Sequence, residues 1–326
     1  MDYTVIVPHF RNGKITAVCL SHLLRNSDKR LAEILVVDNA STDGSAAYLK
    51  PFADQITLIN YPGDRVQSHG NAFSFALPLV KTEHIITVES DSYPVVPQWL
   101  DYYDRLAASA DLAGSVLRLS GGTYLHPAGA LYRTALWKEA EAYCRSSLYA
   151  LMPNAAKRDG FHYHLMVHKR ALAAFQADPA AFGVQLSAPV ALQPKEFCAL
   201  HTMIGSNDES VTAYGQRDCV SEPARVLCDD KLDVIHRVGF EPGQFLCYWA
   251  LRCGYRMVQV PTEVMWLPGR VNQQQDYTLT EGGFKHLWGM TAYYLCPIPE
   301  LADITQAKAA QLDALYAALP AEHRTE

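Results

Sequence analysis

Acidic residues follow two apolar segments of the chain, where β-strands would deliver them to a binding site. Asp38 comes directly after Glu33–Val37 and precedes a turn-forming run, Asn39–Gly44. In an open α/β sheet, ligands bind just beyond the carboxyl ends of the strands. Asp38 is therefore predicted to face a binding crevice, although it could instead serve only to cap the short helix predicted after the turn.

A second acidic pair lies at the end of the strand predicted for His84–Glu89. Glu89 and Asp91 stand on either side of Ser90. Carboxylates are the side chains that hold hard divalent cations such as Mg2+ or Mn2+. The structural alternative is a plain polar turn, because strand ends are commonly polar and lead into loops.

Alternating strands and helices carry these strand ends through the first part of the chain. The apolar pattern and turn residues predict strands near 4–8, 33–38, 56–60, 84–89 and 112–119, with helices near 13–26, 44–50, 70–80 and 97–109. This alternation predicts an α/β fold with a mostly parallel sheet that helices cover on both faces. Further helices are predicted at 134–144, 243–253 and 301–319, and a strand at 254–261.

Over roughly residues 3–120 the chain resembles family 2 glycosyltransferases, because four segments occur in that family's order. They are Pro8, Phe10 and Asn12 after the first strand, the run Val37-Asp38-Asn39-Ala40-Ser41-Thr42-Asp43-Gly44, the helix Gly70–Ala76, and Glu89-Ser90-Asp91 with Pro97, Trp99 and Leu100. Ser74 and Ala76 depart from the helix motif. The resemblance implies the A-type glycosyltransferase fold, a Rossmann-like sheet with an acceptor-side insertion.

The resemblance also implies a nucleotide-diphosphate sugar as donor, most often a UDP-sugar in that family. It assigns nucleotide contacts to Pro8, Phe10, Asp38, Asn39, Arg65, Ser90 and Lys285. Asn39 stands where many relatives carry a second Asp. Arg65 follows the third strand, where relatives often place a basic residue near the nucleotide, but a solvated loop arginine is equally consistent with that position.

A Mn2+ or Mg2+ ion is implied as cofactor, with Glu89, Asp91 and His286 as ligands. Glu89 replaces the family's first Asp and adds one methylene of reach. His286 and Lys285 lie in the glycine-hinged segment Gly282–Trp288, which is predicted to form a loop near the metal or diphosphate. A lid over such a site commonly orders on binding, so residues 270–286 are expected to be more mobile without ligand.

Sugar transfer with inversion requires a general base that takes the proton of the acceptor hydroxyl. The family places this base in a Glu-Asp pair at the start of the helix before a Gly-Tyr-Arg strand, here Gly254-Tyr255-Arg256. Counting back from Gly254 reaches Gly243, and Glu241 is the nearest carboxylate. Glu241 is therefore the first candidate and Asp230, of the pair Asp229-Asp230, is the second. Glu241 could instead act only as a helix cap.

The resemblance divides the chain into three parts. Residues 1–120 form the nucleotide-sugar-binding half, residues 121–296 form the acceptor-binding and catalytic half, and residues 297–326 form a carboxyl-terminal helix. The acceptor half contains an inserted region at about 146–225, and His126 and Arg133 are candidates for contacts with the acceptor. The sequence leaves the acceptor open among a glycan, a lipid-linked sugar, a protein or a modified nucleobase.

The bulk composition is that of an ordinary globular protein. The 326 residues are 49% hydrophobic and 19% charged, with a net charge of −6, so no global basic field favours nucleic acid as a partner. The eight cysteines form no C-x-x-C pair, and no apolar run has the length of a membrane span. With a strand starting near Met1 instead of a secretory signal, the expected location is the cytoplasm.

The sequence also contains a cluster of three histidines, and three functions other than glycosyl transfer can be compared with its motifs. On a helix His164 and His168 would share a face, and on a strand His162 and His164 would. No cysteine or acidic ligand completes an obvious tetrahedral set, so a role without a zinc ion is favoured. A sugar nucleotidylyltransferase is disfavoured because its glycine-rich phosphate loop is missing after the first strand. A dehydrogenase is disfavoured because no G-x-G-x-x-G run follows a strand. A non-catalytic nucleotide-sugar-binding protein remains an alternative, because the usual Glu-Asp pair is absent.

Overall fold

The computed structural model describes residues 1–62, 69–119, 122–143, 165–168, 234–238, 246, 250, 253–266, 275–287, 290 and 302–325. The chain divides into two compact units. The first unit comprises residues 1–115, 127–134 and 258–326, and the second comprises residues 116–126 and 135–257.

Strands and helices alternate along the first part of the chain, as the sequence pattern predicts. The elements up to residue 143 are β1 Tyr3–His9, α1 Gly13–Asn26, β2 Leu31–Asp38, the 3-10 helix Ser45–Phe52, β3 Thr57–Asn60, α2 His69–Ala76, the 3-10 helix Leu77–Leu79, β4 His84–Thr87, β5 Ser92–Pro94, α3 Trp99–Ser109, β6 Leu112–Leu119, β7 Gly122–Leu125, β8 Ala130–Arg133 and α4 Thr134–Tyr143.

The later elements are mostly strands, and a helix lies near the carboxyl end. They are β9 Leu165–His168, β10 Val234–Val238, β11 Met257–Val260, β12 Thr262–Trp266, β13 Gln275–Thr280, β14 Phe284–His286, α5 Ala302–Ala317 and the 3-10 helix Ala321–His323. Residues 246 and 250 are helical, at positions where the sequence predicts a helix.

The central sheet has the strand order β11-β6-β8-β4-β1-β2-β3, with β7 paired to β6. Strands β4, β1, β2 and β3 run parallel to one another, and β8 is antiparallel to both β4 and β6. The predicted α/β fold with a mostly parallel central sheet is therefore confirmed. Because β1 is central, every residue from Tyr3 to His9 is buried, which explains its nearly continuous apolar sequence.

The core of the first unit packs helices against this sheet. Helix α1 buries its apolar face, including Ile15, Val18 and Leu23, and the ring of Trp99 meets those of Tyr103 and Phe284 at centroid distances of 5.0 and 5.6 Å. Such edge-to-face contacts add to the apolar burial. The packing holds α3 and β14 together in the core of the first unit.

At the amino edge of the sheet, ion pairs connect Arg30, which precedes β2, to helix α3. Its guanidinium contacts Asp101 at 2.6 Å and Asp104 at 2.7 Å, and the Tyr3 hydroxyl donates to Asp104 at 2.7 Å. Arg133, the last residue of β8, forms an ion pair with Asp111 at 3.0 Å. Arg133 lies opposite His84, the first residue of β4. These pairs therefore lie at the edge opposite the predicted strand-end site.

A second, antiparallel sheet replaces the loop predicted at Gly282–Trp288. Its strand order is β12-β13-β14-β5, and β14 pairs with β5 so that His286 lies opposite Ser92. The sequence does not reveal this sheet, because β5 and β14 have only three residues each and pair across a long separation along the chain.

The second unit is described in shorter pieces. Strands β9 and β10 form an antiparallel pair, and residues 116–119 of β6 pair with β7. The Tyr255 hydroxyl donates to Glu139 at 2.6 Å, which fixes the start of the Gly-Tyr-Arg segment against α4. Among the described residues, no helix combines the length and apolar character that crossing a membrane requires.

Candidate functional site

Glu89, Asp91 and His286 meet just beyond the carboxyl end of β4. The His286 Nε2 atom lies 3.1 Å from Glu89 Oε2 and 3.4 Å from Asp91 Oδ1. The side chains of Asp91 and His286 are 9% and 6% exposed, so this small polar cluster is almost completely desolvated. Two carboxylates and an imidazole at these distances are a ligand set that a divalent cation accepts.

Backbone hydrogen bonds fix the turn that carries both carboxylates. The amide and the hydroxyl of Ser92 both donate to the Glu89 carbonyl at 2.9 Å, which closes the turn from Glu89 to Ser92. The Leu287 amide donates to the Asp91 carbonyl at 2.8 Å. The pairing of β5 with β14 therefore places His286 over a rigid turn, and the three side chains need little rearrangement to coordinate an ion.

The two carboxylates of the cluster attract a positive charge. Burial by itself lowers the pKa of His286, but the Asp91 and Glu89 carboxylates outweigh burial and raise this pKa to about 9. At neutral pH the protonated imidazole thus offsets one of the two negative charges of the carboxylates. A divalent cation bound by the same three side chains would take over that role, and His286 would release its proton to coordinate it.

Asp38 lies at the end of β2, within a turn that holds its carboxylate in place. Asp38 is 8% exposed, and its Oδ1 atom accepts a hydrogen bond from the Ser41 amide at 3.1 Å. Ala40 has the left-handed φ of 60°, and the Asn39 amide donates to the His9 carbonyl at 2.8 Å. The turn is therefore tied to β1 as well as to its own strand.

His9 connects this turn to the helix that follows β1. The ring is fully buried, and Nδ1 lies 2.9 Å from the Thr16 hydroxyl while Nε2 lies 3.1 Å from the Ser45 hydroxyl. Burial lowers the pKa of His9 despite the opposing effect of the Asp38 and Asp43 carboxylates. A neutral imidazole can donate through one nitrogen and accept through the other, which suits two hydroxyl partners.

The turn after β1 contains consecutive residues in the left-handed region, Arg11 with φ of 51° and Asn12 with φ of 50°. The Arg11 amide donates to the Ser41 hydroxyl at 2.9 Å, and its guanidinium lies 5.0 Å from the centre of the Phe10 ring. Arg11 Nε and Asn12 Nδ2 are buried, and neither has a hydrogen-bond partner within the described part of the chain. Strained backbone and unsatisfied buried donors concentrate at functional sites.

The strand order sets the scale of the whole site. Asp38 at the end of β2 and Glu89 just after β4 are separated by β1 alone. At the usual spacing of neighbouring strands, the ends of β2 and β4 lie about 10 Å apart along the edge of the sheet. A ligand that reaches both must be elongated, with one end suited to a carboxylate and the other suited to a metal ion.

Other predicted site residues fall in different places. Pro8 is buried in β1, whereas Phe10 and Ser90 are half-buried beside the two turns. Lys285 stands between Phe284 and His286 in β14, so its side chain leaves the strand on the face opposite to that of His286. His126 is buried. Arg133 pairs with His84 at the start of β4 and therefore lies at the amino edge of the sheet, away from this site.

Three predicted site residues lie outside the described residues, namely Arg65, Asp230 and Glu241. Of the predicted histidine cluster, His168 lies in β9, and His162 and His164 also lie outside. The strained Arg11-Asn12 turn is the feature that sequence reasoning missed. Its only sequence signal is the short stretch between the last strand residue and the first helical one, which leaves little length for a relaxed connection.

Comparison with known proteins gives a family match over the part of the chain that carries this site. Residues 4–129 match the family model described as glycosyl transferase family 2. This match confirms the resemblance seen in the sequence motifs. No curated protein matches the chain.

Several solved structures share weaker similarity. A mannosyltransferase from Pyrobaculum calidifontis, in complex with GDP-Man and Mn2+, is 22% identical over 42% of this chain and 45% of its own, with a TM-score of 0.36. TarS 1–349 from S. aureus is 20% identical over 43% of this chain and 49% of its own, with a TM-score of 0.35. The match thus covers less than half the length of either structure.

Proposed function

We propose, from the match of residues 4–129 to the model of glycosyl transferase family 2, that the protein transfers a sugar from a nucleoside diphosphate sugar to an acceptor hydroxyl. The proposed donor is a UDP-sugar, the proposed cofactor is Mn2+ or Mg2+, and the proposed stereochemical course is inversion. The observation that carries the proposal is the desolvated group of Glu89, Asp91 and His286, one strand away from Asp38.

The arrangement suits the two ends of a nucleoside diphosphate. Asp38 can accept a hydrogen bond from the base or ribose, because a carboxylate is an acceptor in its ionised form. Glu89, Asp91 and His286 would hold the divalent cation, and this cation would stabilise the negative charge on the departing diphosphate. The backbone bonds of the Glu89–Ser92 turn hold Glu89 and Asp91, and the pairing of β14 with β5 holds His286, so binding the donor requires little reorganisation of the protein.

Glu241 is proposed as the general base of an inverting transfer, with Asp230 as the second candidate. The support comes from the sequence, where Glu241 precedes the helix and strand that carry this role in family members. Glu241→Gln should lower turnover by a factor of about 10²–10⁴ and spare donor binding, because the proton moves only in the transition state. Near-normal turnover would transfer the role to Asp230.

Calorimetric titration with UDP, in Mn2+ and then in EDTA, tests the proposed donor site. UDP should bind in Mn2+ and lose most of its affinity in EDTA. Mass spectrometry of UDP-sugars incubated with the protein then tests transfer or slow hydrolysis. Absence of UDP binding under both conditions would refute the UDP-sugar assignment, and binding without any turnover across an acceptor screen would favour a non-catalytic binding protein.

A further inference from the structure

Gly129 contacts both of the strands that lead to the proposed metal ligands. Its amide donates to the carbonyl of Thr87, the last residue of β4, at 2.8 Å. Its Cα faces the ring of Phe284, the first residue of β14, since a Cβ added to Gly129 would lie 3.1 Å from that ring. Glu89 follows shortly after Thr87, and His286 ends β14. Gly129 therefore joins the strand that leads to the carboxylates to the strand that carries the imidazole.

The hydroxyl of Tyr103 holds Gly129 from the side of α3. Tyr103 is buried, and its hydroxyl donates to the Gly129 carbonyl at 2.6 Å. Burial raises the pKa of Tyr103 well above its usual range, so the hydroxyl keeps its proton and remains a donor. The Tyr103 ring also packs edge-on against Trp99, which in turn packs against Phe284. One side chain thus supports Gly129 directly and Phe284 through a neighbouring ring.

The backbone at Gly129 allows this close approach and little else. Its φ is +81°, in the left-handed region that favours glycine. A Cβ at this position would lie only 2.9 Å from the Tyr103 hydroxyl oxygen, in addition to its contact with the Phe284 ring. Because protein interiors are close-packed, a shift of any one of these three groups must displace the others.

We propose that Tyr103 is a positioning residue for the metal site. This inference rests on the proposed function and adds a residue that acts on the ligands through Gly129 and Phe284. Strands β4 and β14 belong to different sheets, so no shared ladder of hydrogen bonds sets the distance between them. The pairing of β14 with β5 holds one side of the site. The hydrogen bond from Tyr103 to Gly129 holds the other side, where β4 ends.

The test compares two variants that each lose one internal hydroxyl, at opposite edges of the sheet. Tyr103→Phe keeps the ring and removes the donor to Gly129. The matched control is Tyr3→Phe, which removes the hydroxyl that donates to Asp104 at 2.7 Å at the amino edge. Both variants should lower Tm, because each loses an internal hydrogen bond. Titration with Mn2+ alone, followed by electron paramagnetic resonance, should show about a tenfold loss of affinity in Tyr103→Phe and none in Tyr3→Phe.

A second variant tests the contact that Tyr103 shares with Gly129. Gly129→Ala places a Cβ against the Tyr103 hydroxyl and should also weaken Mn2+ binding. In the double variant with Tyr103→Phe that oxygen is gone, so the combined loss of affinity should be smaller than the product of the two single losses. Losses that simply multiply would contradict the shared contact.

Two results would overturn the positioning role while leaving the proposed metal site in place. One is equal Mn2+ affinity in Tyr103→Phe and wild type, and the other is an equal loss in Tyr3→Phe, which would indicate a general effect of lower stability. Absence of Mn2+ binding by wild type would overturn the proposed metal site, and the role of Tyr103 with it.

Discussion

At the scale of single residues, the site depends on side chains whose backbone is already fixed. Asp38, Glu89 and Asp91 could be predicted as site residues because each stands at the end of a strand or a few residues beyond it, and strand ends can be read from local sequence. His286 came only from a resemblance, because its place beside Asp91 depends on the pairing of β14 with β5. The alternation of side chains along β14 then sends Lys285 to the other face.

The role of Asp91 can be tested by removing its carboxylate. Asp91→Ala should weaken Mn2+-dependent UDP binding by at least about a hundredfold, because even residues that only support metal ligands contribute tenfold or more. Calorimetry with UDP and Mn2+ measures the effect, and Glu89→Asp should be tolerated better than Glu89→Ala. Asp54→Ala removes an exposed carboxylate elsewhere and serves as control. Unchanged affinity in Asp91→Ala would show that this carboxylate holds no metal.

Asp38 offers a substitution that separates ligand binding from turn stability. Asp38→Asn keeps an oxygen that can accept from the Ser41 amide but removes the negative charge. Hydrogen bonds to charged groups contribute about 1.5–3 kcal/mol, so UDP affinity should fall about ten- to a hundredfold while Tm changes little. Calorimetry and thermal melting measure the two quantities. A lower Tm with unchanged UDP affinity would mean that Asp38 only stabilises the turn.

At the scale of elements, the sequence predicts the strands and helices of the first part of the chain to within about two residues, apart from short ones. Helix α1 and β6 have the predicted bounds, because their apolar periodicity is long and ends at clear polar residues. Strand β5 and the hairpin of β13 and β14 could not be predicted, because short strands carry little periodicity and their partners are far away in sequence.

His9 on β1 contacts Thr16 on α1 and Ser45 on the 3-10 helix Ser45–Phe52, and the stability that it contributes should depend on pH. Because burial holds the pKa of His9 below the value of about 6.5 in the unfolded chain, the unfolded state takes up protons first as the pH falls. The stability from neutral His9 is therefore present above about pH 6.5 and lost as the pH falls through the folded-state pKa.

The measurement is Tm from pH 8 to pH 5 for wild type and for His9→Gln, which does not titrate. His22 and His84 also have lowered pKa values, because burial disfavours their charged forms, and they affect both proteins alike. The Tm of wild type should therefore fall more steeply than that of the variant as the pH drops. Parallel curves would show that His9 does not contribute to the acid sensitivity.

The hairpin that carries His286 depends on Gly283, which has a φ of +72° and would bring an added Cβ against the Val96 side chain. Gly283→Ala should destabilise the hairpin by about 1–2 kcal/mol or more, because backbone strain and steric contact add. Displacement of β14 should also weaken Mn2+ binding. Gly254→Ala is the matched control, since Gly254 has a φ of +76° but open space around it. Equal Tm losses and unchanged Mn2+ affinity in both variants would exclude a role for the contact.

At the scale of the first unit, the end of the chain packs against the elements that flank the Asp38 turn. Lys14 on α1 pairs with Asp313 on α5, and the Tyr316 ring meets the Tyr48 ring edge-on at 5.5 Å. His323 is buried, and its Nδ1 atom lies 2.8 Å from the Ser21 hydroxyl. The centres of the His323 and Phe52 rings are 4.9 Å apart. The sequence predicts the helix but gives no sign of its docking place, which is a tertiary contact across most of the chain.

This docking should couple the carboxyl-terminal segment to the donor site. The 3-10 helix Ser45–Phe52 carries Ser45, the partner of His9, at one end and Phe52, the partner of His323, at the other.

His323→Ala removes a buried ring and its hydrogen bond to Ser21, so Tm should fall by several degrees for a loss of about 2–3 kcal/mol. If the 3-10 helix transmits the change, UDP affinity should fall a fewfold while pyrophosphate affinity stays constant, because the metal ligands stand on other elements. Lys14→Ala removes a surface ion pair with Asp313 and a contact of its ammonium group with the Tyr316 ring at 5.9 Å, which contribute little at an exposed site, so both quantities should change little. A lower Tm in His323→Ala without any loss of UDP affinity would show that the segment stabilises the fold independently of the Asp38 turn.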